Sequence, residues 1–168
     1  QTCRVRRDWL TRNLLVLSAV SLTQDAASEL LYPLLPLLMA SVTTAPALLL
    51  GITEGLADSV AGLTLYWSGR KSDEVGRRGF ISAGYALAGI GKLVVAFAYA
   101  WPMMTLGRAL DRFGKGLRTA PRDSLLADDI PSQHLGRAYG FHRMSDTAGA
   151  VAGPLIALAG LALLNKDR

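Results

Sequence analysis

Long apolar runs broken by short charged clusters set the pattern of this chain. No side chain charged at pH 7 occurs from Leu30 to Thr53, from Leu93 to Gly107 or from Thr147 to Leu164. A helix on the surface of a water-soluble domain needs a charged outer face, so runs of this length point elsewhere. Cutting the chain at charge clusters and turn residues leaves five apolar spans, about 14–40, 47–68, 79–99, 102–126 and 140–164. Each has the roughly 20 residues with which a helix crosses about 30 Å of hydrocarbon. Alternating apolar and polar positions are missing, which argues against a transmembrane barrel. The first span is too long for a cleavable leader and carries Asp25 and Glu29. The pattern predicts an all-α integral membrane protein, a helical bundle.

Basic residues orient the bundle, because short cytoplasmic loops are enriched in Lys and Arg. Arg4, Arg6, Arg7 and Arg12 lie in or next to the first 13 residues; Arg70, Lys71, Arg77 and Arg78 follow span two. Arg118, Arg122, Arg137 and Arg143 surround the junction of spans four and five, whereas the turns Ser41 to Pro46 and Ala98 to Pro102 hold none. Five crossings follow, with residues 1–13 in the cytoplasm, a cytoplasmic loop at 69–79 and the C-terminus outside. Lys166 and Arg168 would then sit on the outer side, as expected if residues 165–168 precede a sixth span. Trp9, Tyr66, Trp67, Tyr99, Trp101 and Tyr139 fall near span ends, where an aromatic belt belongs.

Composition adds exclusions. Of 168 residues, 51% are hydrophobic and 18% charged, with a net charge of +5. Such a charge suits nucleic acid, an acidic partner or a membrane surface equally. The placement of the basic residues at span ends selects the lipid bilayer and argues against nucleic acid. The lone Cys3 excludes an internal disulfide framework and any zinc site built from several cysteines. His134 and His142 have no clustered ligands, so neither metal nor cofactor is expected. For His142 a hydrogen-bonded interfacial position is the first reading and a pH-sensing role the second. Gly114-Lys115-Gly116 lacks the spacing and the preceding strand of a phosphate loop, and no nucleophile and base pairing is recognisable, so an enzyme is not expected.

The chemistry lies in charges that should not be in lipid. Each is costly there unless paired or hydrated. Asp25 and Glu29 share a helix face, as do Glu54 and Asp58. Span four carries Arg108, Arg112, Lys115 and Arg122 on one stripe with Asp111 beside it, and Lys92 is the single charge inside span three. At about 1.5 Å per residue, Asp25, Asp58 and Arg112 fall near mid-membrane, and Glu54, Arg108 and Lys92 at a shallower outer level. Such pairs can simply hold helices together. They can also exchange protons with a substrate, because acids beside basic residues in a wet cavity have coupled protonation. Asp25 and Glu29 are the leading proton carriers, since Pro33 and Pro36 loosen the same helix. Arg108 or Arg112 would be the partner. The same arginines could instead bind an anionic substrate directly.

Between spans two and three the chain reads Gly69-Arg-Lys-Ser-Asp73-Glu-Val-Gly76-Arg77-Arg78. Two glycines permit a tight turn, Asp73 can cap a helix start, and the arginines can hold acids or anionic headgroups. This order resembles the signature loop of the major facilitator superfamily. Span one, with an acid followed by Tyr32-Pro33-Leu-Leu-Pro36, span four, opening on Gly107-Arg108, and span five, with Gly149-Ala-Val-Ala-Gly153-Pro154, agree. The resemblance covers essentially the whole chain and corresponds to the first five helices of a family that usually has twelve.

It implies a secondary transporter of two six-helix halves that rock about a central site to give alternating access. The C-terminal half of the same transporter would be a partner, together with protons and a small-molecule substrate. By resemblance, Asp73 braces the halves on the cytoplasmic side, with Gly69, Gly76, Arg77 and Arg78 shaping the contact. Arg108 takes the family's proton-linked arginine position; Arg112 lies on the same stripe one turn deeper. Gly149, Gly153 and Pro154 look like the span-five motif of antiporters, although Ala157-Leu158 stands where a glycine pair is usual. Small residues four apart also let helices approach closely in any membrane bundle, and Gly51 and Gly55 repeat the spacing without the proline. The expectation is proton-coupled export of small organic or drug-like compounds from the plasma (bacterial inner) membrane. The alternatives are import or exchange of an anionic metabolite at Arg108 and Arg112, and a non-transporting scaffold or receptor that keeps the fold.

Overall fold

A computed structural model of the chain describes residues 9–44 and 46–166. The basic segment with Arg4, Arg6 and Arg7, the lone Cys3, and the last two residues, Asp167 and Arg168, lie outside the described residues.

Thr11 opens helix α1 (Arg12–Leu30), its hydroxyl accepting a hydrogen bond from the Leu14 amide at 3.2 Å. The helix stops three residues before Pro33, which has no N–H to donate and pushes the preceding residue away from helical geometry. Tight turns, with Tyr32 N–H bonded to Glu29 and Leu34 N–H to Leu31, connect it to α2 (Leu35–Val42). Span one is therefore two helical pieces of 19 and 8 residues with a break at 31–34.

Helix α3 (Pro46–Val75) runs through most of the stretch read from the sequence as the loop 69–79. Only Gly76 interrupts the helix, at φ 116°, a left-handed backbone that side-chain-bearing residues avoid, and α4 (Arg77–Ala96) starts at once. Gly69 therefore makes no turn: it sits within α3, where an added Cβ would lie 3.3 Å from Ala120. Asp73 does not cap α4 either, because Gly76 occupies the cap position and Asp73 turns to Arg77.

Helix α5 (Trp101–Asp129) is continuous through Pro121. A 3-10 turn at Ser132–His134 leads into α6 (Leu135–Lys166), which begins before the expected 140. Among the described residues, four stretches are long and apolar enough to cross a membrane: Arg12–Ser41, Ala47–Val75, Arg77–Ala96 and Ser132–Leu163. Helix α5 is as long but far more charged. Its charges point inward: Arg108, Asp111, Arg118 and Arg122 are all buried, while large apolar side chains such as Leu63, Phe97, Leu155 and Leu163 face outward. This is the inverse of a soluble protein and matches a lipid-facing surface.

Two packs make up the bundle. In the first, α5 lies against α3 and α4 at backbone contact distance: a Cβ on Gly91 would lie 2.6 Å from the Gly107 carbonyl oxygen, and one on Gly84 would lie 2.7 Å from that of Gly114. In the second, α1 lies against α6, and Gly149 and Gly153 meet the carbonyl oxygens of Leu22 and Ala26. Gly51 and Gly55, with the same spacing, face open space. The packs join at the end where Arg137 and Arg143 lie through Leu14, Leu126, Ile130 and Ala138. Along the rest of the seam they meet through polar side chains of α1 and α5.

Candidate functional site

Five basic residues, Arg108, Arg112, Lys115, Arg118 and Arg122, repeat every three or four positions along α5 and so share one face. An arginine at the centre of a membrane helix costs about 2.5–3.5 kcal/mol without compensation, and each of these five has an acid or a hydroxyl near it. Arg108 donates from Nε and Nη2 to the two carboxylate oxygens of Glu54 at 2.8 and 2.9 Å, and its Nη1 lies 3.7 Å from Asp111. Arg112 lies 3.5 Å from Asp58 and 3.9 Å from Glu54. Lys92 reaches across from α4 to Asp111 at 2.7 Å. These pairs tie α3, α4 and α5 into one ionic ladder.

The second half of the stripe faces α1 and α6. Asp25 lies 3.9 Å from Lys115 and 3.7 Å from Arg118. The guanidinium of Arg118 stands over the Tyr85 ring, 4.6 Å from its centre. Arg122 donates to Ser21 at 2.8 Å and to Asp123 at 3.1 Å, and Asp146 lies 3.8 Å away. His142 is fully buried, with Nδ1 3.0 Å from the Ser18 hydroxyl and Nε2 3.7 Å from Asp146. A charged cavity of about 270 Å³ opens between α1, α5 and α6.

The expected site residues are thus partly brought together. Arg108 meets Glu54 and Arg112 meets Asp58, as equal depths imply. Asp25, in contrast, pairs one to two turns further along α5 than Arg112 and two to three turns further than Arg108, and Lys92 finds Asp111 rather than Glu54. Glu29 is half-buried beside the break in span one; it makes no hydrogen bond or ion pair among the described residues and lies within the field of Arg108. At the far end of the bundle, Arg77 binds both Asp73, at 3.0 Å, and Asp128 of α5. Sequence reasoning missed Arg118, Tyr85, Ser21 and Asp146 as part of the charged interior. For Arg118 the signal was present, because it falls three positions after Lys115 and four before Arg122.

Long apolar helices around a charged, hydrogen-bonded interior define a multi-pass helical membrane protein. Comparison with known proteins names the family: the family model described as Major Facilitator Superfamily matches residues 17–165, and the chain belongs to that superfamily. It is 34% identical over 150 residues to the uncharacterized MFS-type transporter MJ1317 of Methanocaldococcus jannaschii, a match covering 89% of this chain and 37% of that protein. It is 32% identical over 126 residues to the multidrug resistance protein MdtH of Cronobacter sakazakii, covering 74% of this chain and 31% of that protein. The chain spans about a third of the length of these relatives.

Proposed function

We propose that this chain forms part of the N-terminal half of a proton-coupled exporter of small organic compounds, working by alternating access against a second half. The observation that carries the reading is the position of Asp25 and Glu29. Both lie on α1 along the seam between the two packs, next to the break at Leu31–Leu34 and opposite the basic stripe of α5. A carboxylate at such a seam changes its surroundings when the packs or halves shift, and that is how protonation becomes linked to conformation.

The relative MdtH bears the name multidrug resistance protein, which supports export of drug-like compounds. Gly149 and Gly153, buried against α1, agree with the antiporter-like motif. The anion-importer reading is weakened, since Arg108 and Arg112 already hold Glu54 and Asp58. Orientation follows from Arg70, Lys71, Arg77, Arg78, Arg137 and Arg143 gathering at one end of the helices: that end is cytoplasmic, in the plasma (bacterial inner) membrane, and α5 is the fourth of five crossings, its charged face turned inward. On that orientation the Asp73–Arg77–Asp128 cluster is the cytoplasmic brace between halves. The test is transport by the complete transporter in proteoliposomes under an imposed pH gradient; substrate movement that ignores the gradient would overturn the coupling.

A further inference from the structure

His142 lies on α6 between α1 and α5, fully buried, and has no part in the coupling proposed for Asp25 and Glu29. Its Nδ1 is 3.0 Å from the Ser18 hydroxyl of α1, and its Nε2 is 3.7 Å from Oδ1 of Asp146, one turn further along α6. Neither Nε2 nor that Oδ1 has a hydrogen-bond partner, although both are closed to water. Buried polar atoms left unpaired are costly. These two are neighbours across a gap that one proton and a shift of about 1 Å would close into a charge-assisted hydrogen bond. The Ser18 hydroxyl can donate or accept, so Nδ1 keeps its partner whether the ring is neutral or cationic.

The charged groups around the imidazole are Arg122 and Asp123 of α5 and Arg143 and Asp146 of α6, and Ser18 faces it from α1. Asp146 is the carboxylate that the arginines can spare. Arg122, 3.8 Å from it, also donates to Asp123 at 3.1 Å and to Ser21 at 2.8 Å; Arg143, 3.9 Å from it, is 63% exposed and has Asp123 at 3.7 Å. We infer that His142 and Asp146 form a proton-binding site separate from Asp25 and Glu29, in which a bound proton turns a loose contact into an imidazolium–carboxylate pair and draws Asp146 off Arg122. Asp146 lines the charged cavity and His142 does not, so the proton enters through the carboxylate. A donor in the cavity protonates Asp146, and the acid hands the proton to Nε2. It ends as a carboxylate beside an imidazolium whose Nδ1–H donates to Ser18. The contact between Arg122 and Asp146 ties one pack to the other, so protonation slackens the seam between them. The site deepens the coupling reading by adding a second place for a proton, and it rests on that reading for its cytoplasmic side.

The test is imidazole NMR of the complete, histidine-labelled transporter in nanodiscs, taken from about pH 8 to about pH 5, the range in which histidine ordinarily exchanges its proton. The His142 signal is the one lost in His142→Gln; should that variant fail to fold, a transporter whose other histidines are all Gln carries the assignment instead. The signal should pass from neutral to cationic over this range. Asp146→Asn removes the carboxylate that holds the cation and should lower the midpoint by about one pH unit, about tenfold in proton affinity. His134→Gln should leave the titration in place. A His142 that stays neutral throughout overturns the site, and so does an Asp146→Asn variant that melts earlier with its midpoint unmoved, the result of a merely structural contact. A silent His142 in a transporter that still follows an imposed pH gradient refutes this site alone; a titrating His142 with substrate movement that ignores the gradient refutes the coupling at Asp25 and Glu29 alone.

Discussion

Arg108 and Glu54 face each other as a bidentate pair, 2.8 and 2.9 Å between donors and carboxylate oxygens, with the arginine side chain 1% exposed. The pair bolts α5 to α3 inside the bundle. Breaking such a buried pair from one side leaves an uncompensated charge and costs about 3–5 kcal/mol, whereas removing both charges costs much less. Glu54→Gln and Arg108→Gln should each lower the thermal midpoint of the purified transporter sharply, and the variant carrying both should recover most of the loss. A double-mutant cycle on the melting curves reads this; additive losses would show that the two residues act independently.

Close helix approach makes a second prediction. Gly149 and Gly153 meet the α1 backbone, whereas Gly51 and Gly55 meet nothing within 4 Å. Gly153→Leu must force α1 and α6 apart and should abolish a monodisperse peak in size-exclusion chromatography. Gly55→Leu should elute as the wild type does. Equal behaviour of the two variants would contradict the packing.

The Asp73–Arg77–Asp128 cluster separates stability from function. Asp73 and Asp128 are 57% and 64% exposed, and pairs at that exposure contribute about 0–1 kcal/mol. Asp73→Asn should therefore leave the melting temperature nearly unchanged while slowing turnover in proteoliposomes. Wild-type turnover would remove the bracing role.

What the sequence made legible follows from one-dimensional distance. Charge-free runs marked out the long apolar stretches, and depth counted along them brought Arg108 to Glu54 and Arg112 to Asp58. Depth does not give azimuth or the neighbour of a helix. Asp25 was placed level with Arg112 but faces Lys115 and Arg118, because α1 packs on α6 and reaches α5 only along the seam nearer the basic end. The helical course of 69–75 was hidden by its turn-like composition: Ser72 and Asp73 favour loops locally, yet the Ser68 hydroxyl donating to the Gly116 carbonyl at 3.0 Å keeps this end of α3 on α5. Pro121 has no N–H to donate, yet α5, packed against α3 and α4, runs through it as a helix.

The most direct test of the central claim is substrate transport driven by an imposed pH gradient, compared among wild type, Asp25→Asn and Glu29→Gln in proteoliposomes of the complete transporter. Each variant should lose about tenfold or more of the gradient-driven rate while keeping downhill exchange of the same substrate. Full coupling in both variants would contradict the account.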